Sequence, residues 1–375
     1  MYLKTLRLAN FKNYHEAILS FSDKINCFVG PNGAGKTNLL DAIHYLSFCK
    51  SYFNPIDSQN INHHEDFFAI HGNYLKNGDE NTGKVSCVQK RNQRKQFMLD
   101  GKEYERLADH IGLFPLVMIS PYDRDLINEG SEARRRYIDS VISQFDKIYL
   151  DDLINYNKAL FQRNSLLKEF AEKRYFDRSL IEIWDEQLIR FGSGLHQKRL
   201  HFIDEFIPVF NHYFSIISEG REVVSITYDS QLHRHAFGAL LSQNMEKDRA
   251  LRYTSAGIHK DDLIFEIGSY PVKRFGSQGQ QKSFVIAIKL AQFEYTRNVK
   301  GFKPILLFDD IFDKLDESRV SQIVQLVSQD SFGQVFISDT QYDRVENLAK
   351  SLPIKYHVWE IESGTAKPLN SLSHD

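Results

Sequence analysis

Cysteine is scarce, with three residues in 375, at positions 27, 49 and 87. The number is odd and no CxxC pair occurs. A disulfide framework and a zinc site of ordinary spacing are therefore excluded, and a reducing cytoplasm is the expected compartment. Long apolar runs are missing too. The longest, Leu113 to Ile119, is interrupted by Pro115 and falls far short of the ~18 residues that span a membrane. The opening MYLKTLRLANFKNY has no apolar core ahead of a small-residue cleavage site and does not read as a signal peptide. Neither sign of charge is in excess: 47 Lys plus Arg stand against 49 Asp plus Glu, a formal net charge of −2. A protein of this balance binds a polyanion only by concentrating positive charge locally. Internal repeats and low-complexity segments are absent. What remains is a globular composition, 42% hydrophobic and 26% charged, in a chain long enough for two or three domains of ~150 residues.

Periodicity divides the chain into α/β, helical and again α/β stretches. Ile25 to Val29 is a short apolar run ending at Gly30, the pattern of a buried strand. Leu39, Leu40, Ile43, Leu46 and Phe48 then recur at helical spacing. Residues 55–120 are mostly β, with Val85–Val88 and Gln96–Leu99 flanking a basic turn, Asp100-Gly101 marking a hairpin, and Leu116–Ile119 a further buried strand. From Ser131 the spacing is helical. Ile138, Val141, Ile142 and Phe145 share a face, Leu153 to Phe170 form a second series, and Leu180, Trp184, Leu188, Phe191 and Leu195 a third. Breaks are expected near Phe176-Asp177 and at Gly192–Gly194, and two of these helices can pair as a short antiparallel arm or serve as core helices. Strands return at Val223–Tyr228, Leu263–Ile267, Ile305–Phe308 and Val335–Ile337, with helices at 281–297 and 318–328. The expected domains are 1–130, 131–255 and 256–375.

Three segments carry chemistry. Gly30-Pro31-Asn32-Gly33-Ala34-Gly35-Lys36-Thr37 fits G-x-x-x-x-G-K-[ST] between a strand and a helix, where backbone N–H groups and the helix N-terminus cradle phosphate. Lys36 is expected on the β/γ-phosphates and Thr37 on Mg²⁺. Pro304-Ile-Leu-Leu-Phe-Asp309-Asp310 is an apolar strand ending in carboxylates. It supplies Asp309 for the metal and Asp310 to polarise the attacking water of a nucleoside triphosphatase. Gly276-Ser277-Gln278-Gly279-Gln280 opens a helix ahead of that strand.

The third segment resembles the LSGGQ signature of ABC-type ATPases, with Gln278 in place of the first Gly of its pair. Leu315-Asp316 is similar to the D-loop of that family. Lys36 and Asp309 stand 273 positions apart, too far for a transporter ATPase. This separation resembles the structural-maintenance-of-chromosomes (SMC) class, in which a helical arm interrupts the ATPase head. Over nearly the whole chain the resemblance is to the RecF family: Phe11-Lys12-Asn13-Tyr14, Ser120-Pro121-Tyr122-Asp123, Arg134-Arg135-Arg136 through Asp139, and Gly257-Ile-His259-Lys260-Asp261-Asp262 all stand where that family carries similar strings. It implies an α/β, SMC-like ABC ATPase head with an inserted, mainly helical second lobe and a short antiparallel arm. It further implies a cytoplasmic, ATP- and Mg²⁺-dependent homodimer that binds duplex DNA at gaps or junctions and loads recombinase with a RecR-like partner, without a membrane. By position it places Lys12, Asn13, Asn38, Ser277, Gln278, Gly279 and Gln280 at the nucleotide, and Asp123 beside Thr37 and Asp309 at the metal. Tyr122 stands where the family has Glu. Asp310 replaces the usual catalytic Glu, and Phe336-Ile-Ser338-Asp339-Thr340 lacks the switch His, so slow hydrolysis is expected. The alternative is an ABC-type interaction protein without direct DNA binding.

Lys90, Arg91, Arg94 and Lys95 form a basic turn that can meet DNA phosphate or solvent alike. Arg134–Arg136 open a helix, where positive charge opposes the dipole and calls for an anionic partner. His63-His64 and His233/His235 lack companions at metal spacing, and His259 has no assigned role.

Overall fold

The computed structural model describes residues 1–76, 79–311, 317–342 and 356–369. The chain divides into two units. The first comprises Met1–Asp123, Ile216–Ser218 and Gln278–Asp375, the second Arg124–Ser215 and Glu219–Ser277. In chain order the elements are β1 (Tyr2–Phe11), β2 (Tyr14–Ser20), β3 (Ile25–Val29), α1 (Lys36–Phe48), β4 (Phe67–Lys76), β5 (Asp79–Lys90), β6 (Gln96–Leu99), β7 (Lys102–Glu103) and β8 (Leu116–Ile119). There follow α2 (Asp125–Asn128), α3 (Ser131–Ser143), α4 (Lys147–Lys173), α5 (Arg178–Ser218), β9 (Val224–Asp229), α6 (Phe237–Gln243), α7 (Met245–Leu251), β10 (Asp262–Ile267), β11 (Tyr270–Pro271) and α8 (Val272–Phe275). The last are α9 (Gln278–Lys300), β12 (Ile305–Asp309), α10 (Glu317–Val327), β13 (Val335–Asp339), β14 (Tyr356–Glu362) and β15 (Thr365–Leu369). Leu315-Asp316 lies outside the described residues.

The first unit holds two six-stranded sheets. One has the order β15-β14-β3-β13-β12-β8, the other β2-β1-β4-β5-β6-β7. In the former, β14, β3, β13, β12 and β8 run parallel and only β15 is antiparallel. Every residue of β3, β8, β12 and β13 is buried, the condition of parallel strands covered on both faces. The second sheet is an antiparallel ribbon, and its Asp100-Gly101 turn has both residues at positive φ, 51° and 80°, as a tight hairpin of right-handed twist requires. Leu3, Leu6 and Leu8 from β1, Leu39, Leu40, Ile43 and Leu46 from α1, and Phe28, Leu307 and Phe336 from the parallel sheet belong to one buried cluster. Helix α1 is therefore buried nearly all round.

The second unit is helical with a small antiparallel sheet, β11-β10-β9. α4 and α5 run antiparallel. Leu167 and Phe170 pack with Ile181, and Arg163 meets Asp185 at 2.6 Å. The chain turns between them at Arg174 to Asp177, Arg174 being left-handed at φ 54°. The expected break at Gly192–Gly194 is not there, because α5 continues through it to Ser218. Gly192 serves close approach instead: a Cβ there would stand 2.5 Å from the Phe237 ring and 2.9 Å from that of Tyr156. The buried face also begins at Ile181 rather than at Leu180, which is partly exposed.

Candidate functional site

The C-terminal ends of parallel strands are where an open α/β sheet binds ligands, and the predicted residues of the first unit gather there. β3 ends at Val29 and the chain enters the glycine loop, with Gly33 at φ 80° and Gly35 at φ 120° before α1 begins at Lys36. A Cβ on Gly30 would lie 2.1 Å from the Ile361 carbonyl oxygen, and one on Gly35 would lie 2.6 Å from Asn13 Nδ2. Only glycine allows either approach. Lys36 is buried, and its Nζ donates to the carbonyls of Gly30 (2.9 Å) and Pro31 (3.1 Å).

Asp309 ends β12 with Ser338 of β13 beside it in register. The Thr37 hydroxyl donates to both Asp309 oxygens, at 2.9 and 3.1 Å. Ser338 donates to Asp309 Oδ1 at 2.8 Å and accepts from the Asp310 N–H at 3.0 Å. Burial pushes the Asp309 carboxyl up to about 6, against the hydrogen bonds from Ser338 and Thr37 that favour its charged form. A divalent cation would remove this penalty by supplying the missing charge, and hydroxyl plus carboxylate is a hard-oxygen donor set that suits Mg²⁺. Asp310 is left-handed at φ 45°. Ser338 has no place in the sequence-derived site. Its switch-strand string stands 29 positions from Asp309 and is noted there only for lacking His.

The turn between β1 and β2 clasps the loop. Asn13 Nδ2 donates to the Ala34 carbonyl (2.9 Å) and the Tyr14 hydroxyl to that of Gly35 (3.2 Å), while Asn38 Nδ2 donates to Asn13 Oδ1 (2.7 Å). Lys12 holds the fully buried Asp41 at 2.6 Å. Asp123 does not stand open beside Thr37. Its carboxylate is taken by Lys289 Nζ at 2.7 Å, the Tyr52 hydroxyl and the Ser120 N–H, so it reads as a buried ion pair rather than a metal ligand. Among the described residues no group of three or more His, Cys, Asp or Glu converges to hold a metal.

The signature string straddles a helix start. Ser277 and Gln278 are exposed, Gly279 and Gln280 half-buried, and α9 begins at Gln278. Within the first unit, Arg319 donates to Ser283 one turn further along. In the basic turn, Lys90, Arg91 and Arg94 are exposed, Arg91 and Arg94 donating to the carbonyls of Glu65 and Glu105. Lys95 is not part of that surface. It pairs with Asp57 at 2.7 Å and reaches Tyr45 and the Cys49 carbonyl, which corrects the expectation of a phosphate contact there. Burial pushes the Cys27 and Cys49 thiols up to about 12, so both are packing groups. In the second unit, Arg134 finds the carboxylate partner that its helix position requires: Asp262, at 2.6 and 3.0 Å.

A phosphate-cradling loop, a strand-end aspartate hydrogen-bonded to its threonine, and a Gly-Ser-Gln-Gly-Gln string opening α9 define an ABC-type ATPase head of the SMC class. The family model described as "RecF/RecN/SMC N terminal domain" matches residues 2–358. The DNA replication and repair protein RecF of Flavobacterium johnsoniae is 54% identical over 361 residues, covering 96% of this chain and 100% of that one. The protein of the same name from Phocaeicola vulgatus is 50% identical, covering 97% of each chain. A solved structure of the recombination mediator protein RecF with ATP, described as belonging to the RecFOR pathway, superposes with a TM-score of 0.87 at 29% identity, covering 98% of each. The Smc head of Pyrococcus furiosus shares the fold, with a TM-score of 0.58 at 19% identity, covering 99% and 96%. The chain belongs to the RecF family. Among the described residues no helix is long and apolar enough to cross a membrane.

Proposed function

We propose that this protein is an ATP-dependent recombination mediator of DNA repair. The observation that carries the reading is the convergence of Thr37, Asp309 and Ser338 within 2.8–3.1 Å at the mouth of the glycine loop. Lys36 would hold the β/γ-phosphate oxygens of ATP, and Gly30 to Gly35, Asn38 and the Asn13 turn would shape the cradle. Thr37 and Asp309 would hold Mg²⁺, which would neutralise charge that develops on the phosphates. Asp310 orients the attacking water, and its short carboxylate makes turnover slow. Ser277 and Gly279 would meet the nucleotide of a second copy, so that ATP closes a homodimer and hydrolysis to ADP and phosphate releases it. The dimer would hold duplex DNA near single-strand gaps or junctions and load recombinase there with a RecR-like partner in the cytoplasm.

Sedimentation in ATP and in ADP, with and without gapped duplex, tests this reading. Dimers in ATP that co-sediment with DNA, and monomers in ADP, are expected. ATP-driven dimers that ignore DNA at low salt would favour an interaction protein instead, and nucleotide-independent behaviour would overturn the reading.

A further inference from the structure

In the second unit, two strings that the nucleotide site does not use are brought together: Arg134–Arg136 on α3 and Gly257–Asp262 before β10. Four carboxylates lie in this region, and each is closed by an arginine. Asp262 is held by Arg134, and Asp139 and Asp261 by the buried Arg199, at 2.8 and 3.1 Å. Asp248, fully buried, is held by Arg163 at 2.7 Å. Glu132 and Glu246 are likewise taken, by Arg136 and Arg249. Arg135, Lys247 and Lys260 are left over. Among the described residues none of the three makes an ion pair.

The loop that carries Lys260 is closely packed and hydrogen-bonded. Gly257 stands at φ 130°, and a Cβ there would lie 2.6 Å from Phe237 and 2.8 Å from the Tyr156 hydroxyl. His259 is pinned through both ring nitrogens, by Tyr156 at 2.7 Å and by the Thr254 carbonyl at 3.0 Å. Arg135 donates to the backbone carbonyl of Asp261 at 2.6 Å, next to Lys260. The Lys260 ammonium lies 5.0 Å from the ring of the exposed Tyr253. Helix α7, which carries Lys247, is tied to the same loop, for Asp248 accepts from the Ser255 N–H and hydroxyl at 2.8 and 2.6 Å; burial, Arg135 and Lys247 lower the Lys260 pKa, and Asp248 opposes them. Like charges held around a closely packed loop, with the nearby carboxylates already paired to arginines, are relieved by an anion. An exposed aromatic ring among them suits a nucleotide strand, whose bases stack where its phosphates are bound.

We infer that Arg135, Lys247 and Lys260 form a phosphate site for the backbone of nucleic acid. The inference rests on the DNA-binding reading above and gives it a location apart from the 90–95 turn. The test is the affinity of full-length protein in ATP for a labelled gapped duplex over a salt series. Each phosphate contact contributes roughly 0.9 to the slope of log K against log salt. Lys247→Ala with Lys260→Ala should therefore flatten the slope by about 1.8, and Lys247→Arg with Lys260→Arg should restore it. ATP binding should be unchanged in both, because neither residue belongs to the nucleotide site. A wild-type slope in the alanine pair overturns the inference and leaves DNA binding intact. The same holds if Arg91→Glu with Arg94→Glu alone abolishes the slope. Failure of the wild-type protein to bind DNA in ATP overturns both.

Discussion

The role of Asp123 separates the family-derived expectation from the geometry. The Asp123–Lys289 pair is 2.7 Å long, and its side chains are only 4% and 7% exposed. At an effective dielectric of about 20, the Coulomb attraction at that distance is about 6 kcal/mol, largely offset by the cost of desolvating both ions. Removing one partner leaves the other charge buried and uncompensated, which costs about 3–5 kcal/mol. Asp123→Asn should therefore lower the nucleotide-free thermal midpoint by on the order of 10 °C, and Lys289→Met by a similar amount. The double variant Asp123→Asn with Lys289→Met should recover most of the loss, since it strands no charge. The assay is thermal unfolding of the three variants without nucleotide, alongside Mg²⁺ titration of ATP binding at a temperature where all are folded. An unchanged midpoint in Asp123→Asn, together with a raised Mg²⁺ requirement, would refute the ion-pair argument and return Asp123 to the metal.

Lys36→Met should abolish ATP binding, because the loop loses its buried ammonium; wild-type affinity by equilibrium dialysis would contradict the assignment. Ser277→Arg should leave ATP binding by the monomer near normal and prevent ATP-induced dimers, read by sedimentation, and an unchanged dimer fraction would make the string a helix start only. Asp310→Asn should keep ATP affinity and slow turnover by about 10² or more. Asn tolerates the left-handed backbone that Asp310 adopts, so a loss of turnover reports the carboxylate; wild-type turnover would exclude Asp310. Burial lowers His44, His110 and His259 to about 4. Between their ordinary value near 6.5 and that value the unfolded chain binds protons that the folded chain does not, so stability is retained above pH 6.5 and lost as pH falls toward 4. Urea unfolding at pH 7.5, 6 and 5 should show the decline, His110→Gln should lessen it, and a flat profile would be inconsistent with neutral buried imidazoles.

What was legible in the amino-acid string is what depends on neighbours in the string. The glycine loop, the strand ending at Asp309 and the Asp100-Gly101 hairpin are short local patterns, and each folds where its pattern points. What was not legible depends on a distant partner. Gly192 breaks a helix or admits a close neighbour, and the outcome is decided by Phe237, 45 positions on. Lys95 belongs to a basic run, yet Asp57, 38 positions back, draws it inside. Arg135 and Lys260 are unremarkable until neighbouring arginines are seen to pair with Asp139, Asp248, Asp261 and Asp262. Burial with a remote counter-charge, rather than residue type, sorts these cations into structural and available ones.

The Phe-Lys-Asn-Tyr string likewise has a physical task set by distant partners. A loop that binds phosphate must turn its N–H groups toward the ligand, and it can do so only if its carbonyl oxygens are satisfied on the other side. Here the carbonyls of Gly30, Pro31, Ala34 and Gly35 each have such a partner. Lys36 takes Gly30 and Pro31, Asn13 and the Gly364 N–H take Ala34, and Tyr14 reaches Gly35. Gly364 is confined as tightly as the loop, for a Cβ there would stand 2.3 Å from the Asn13 carbonyl oxygen. The orientation of these peptide groups is thus set in part by two segments remote in sequence, Asn13-Tyr14 and Gly364. Asn13 and Tyr14 thus hold the backbone of the loop from the side opposite its N–H groups.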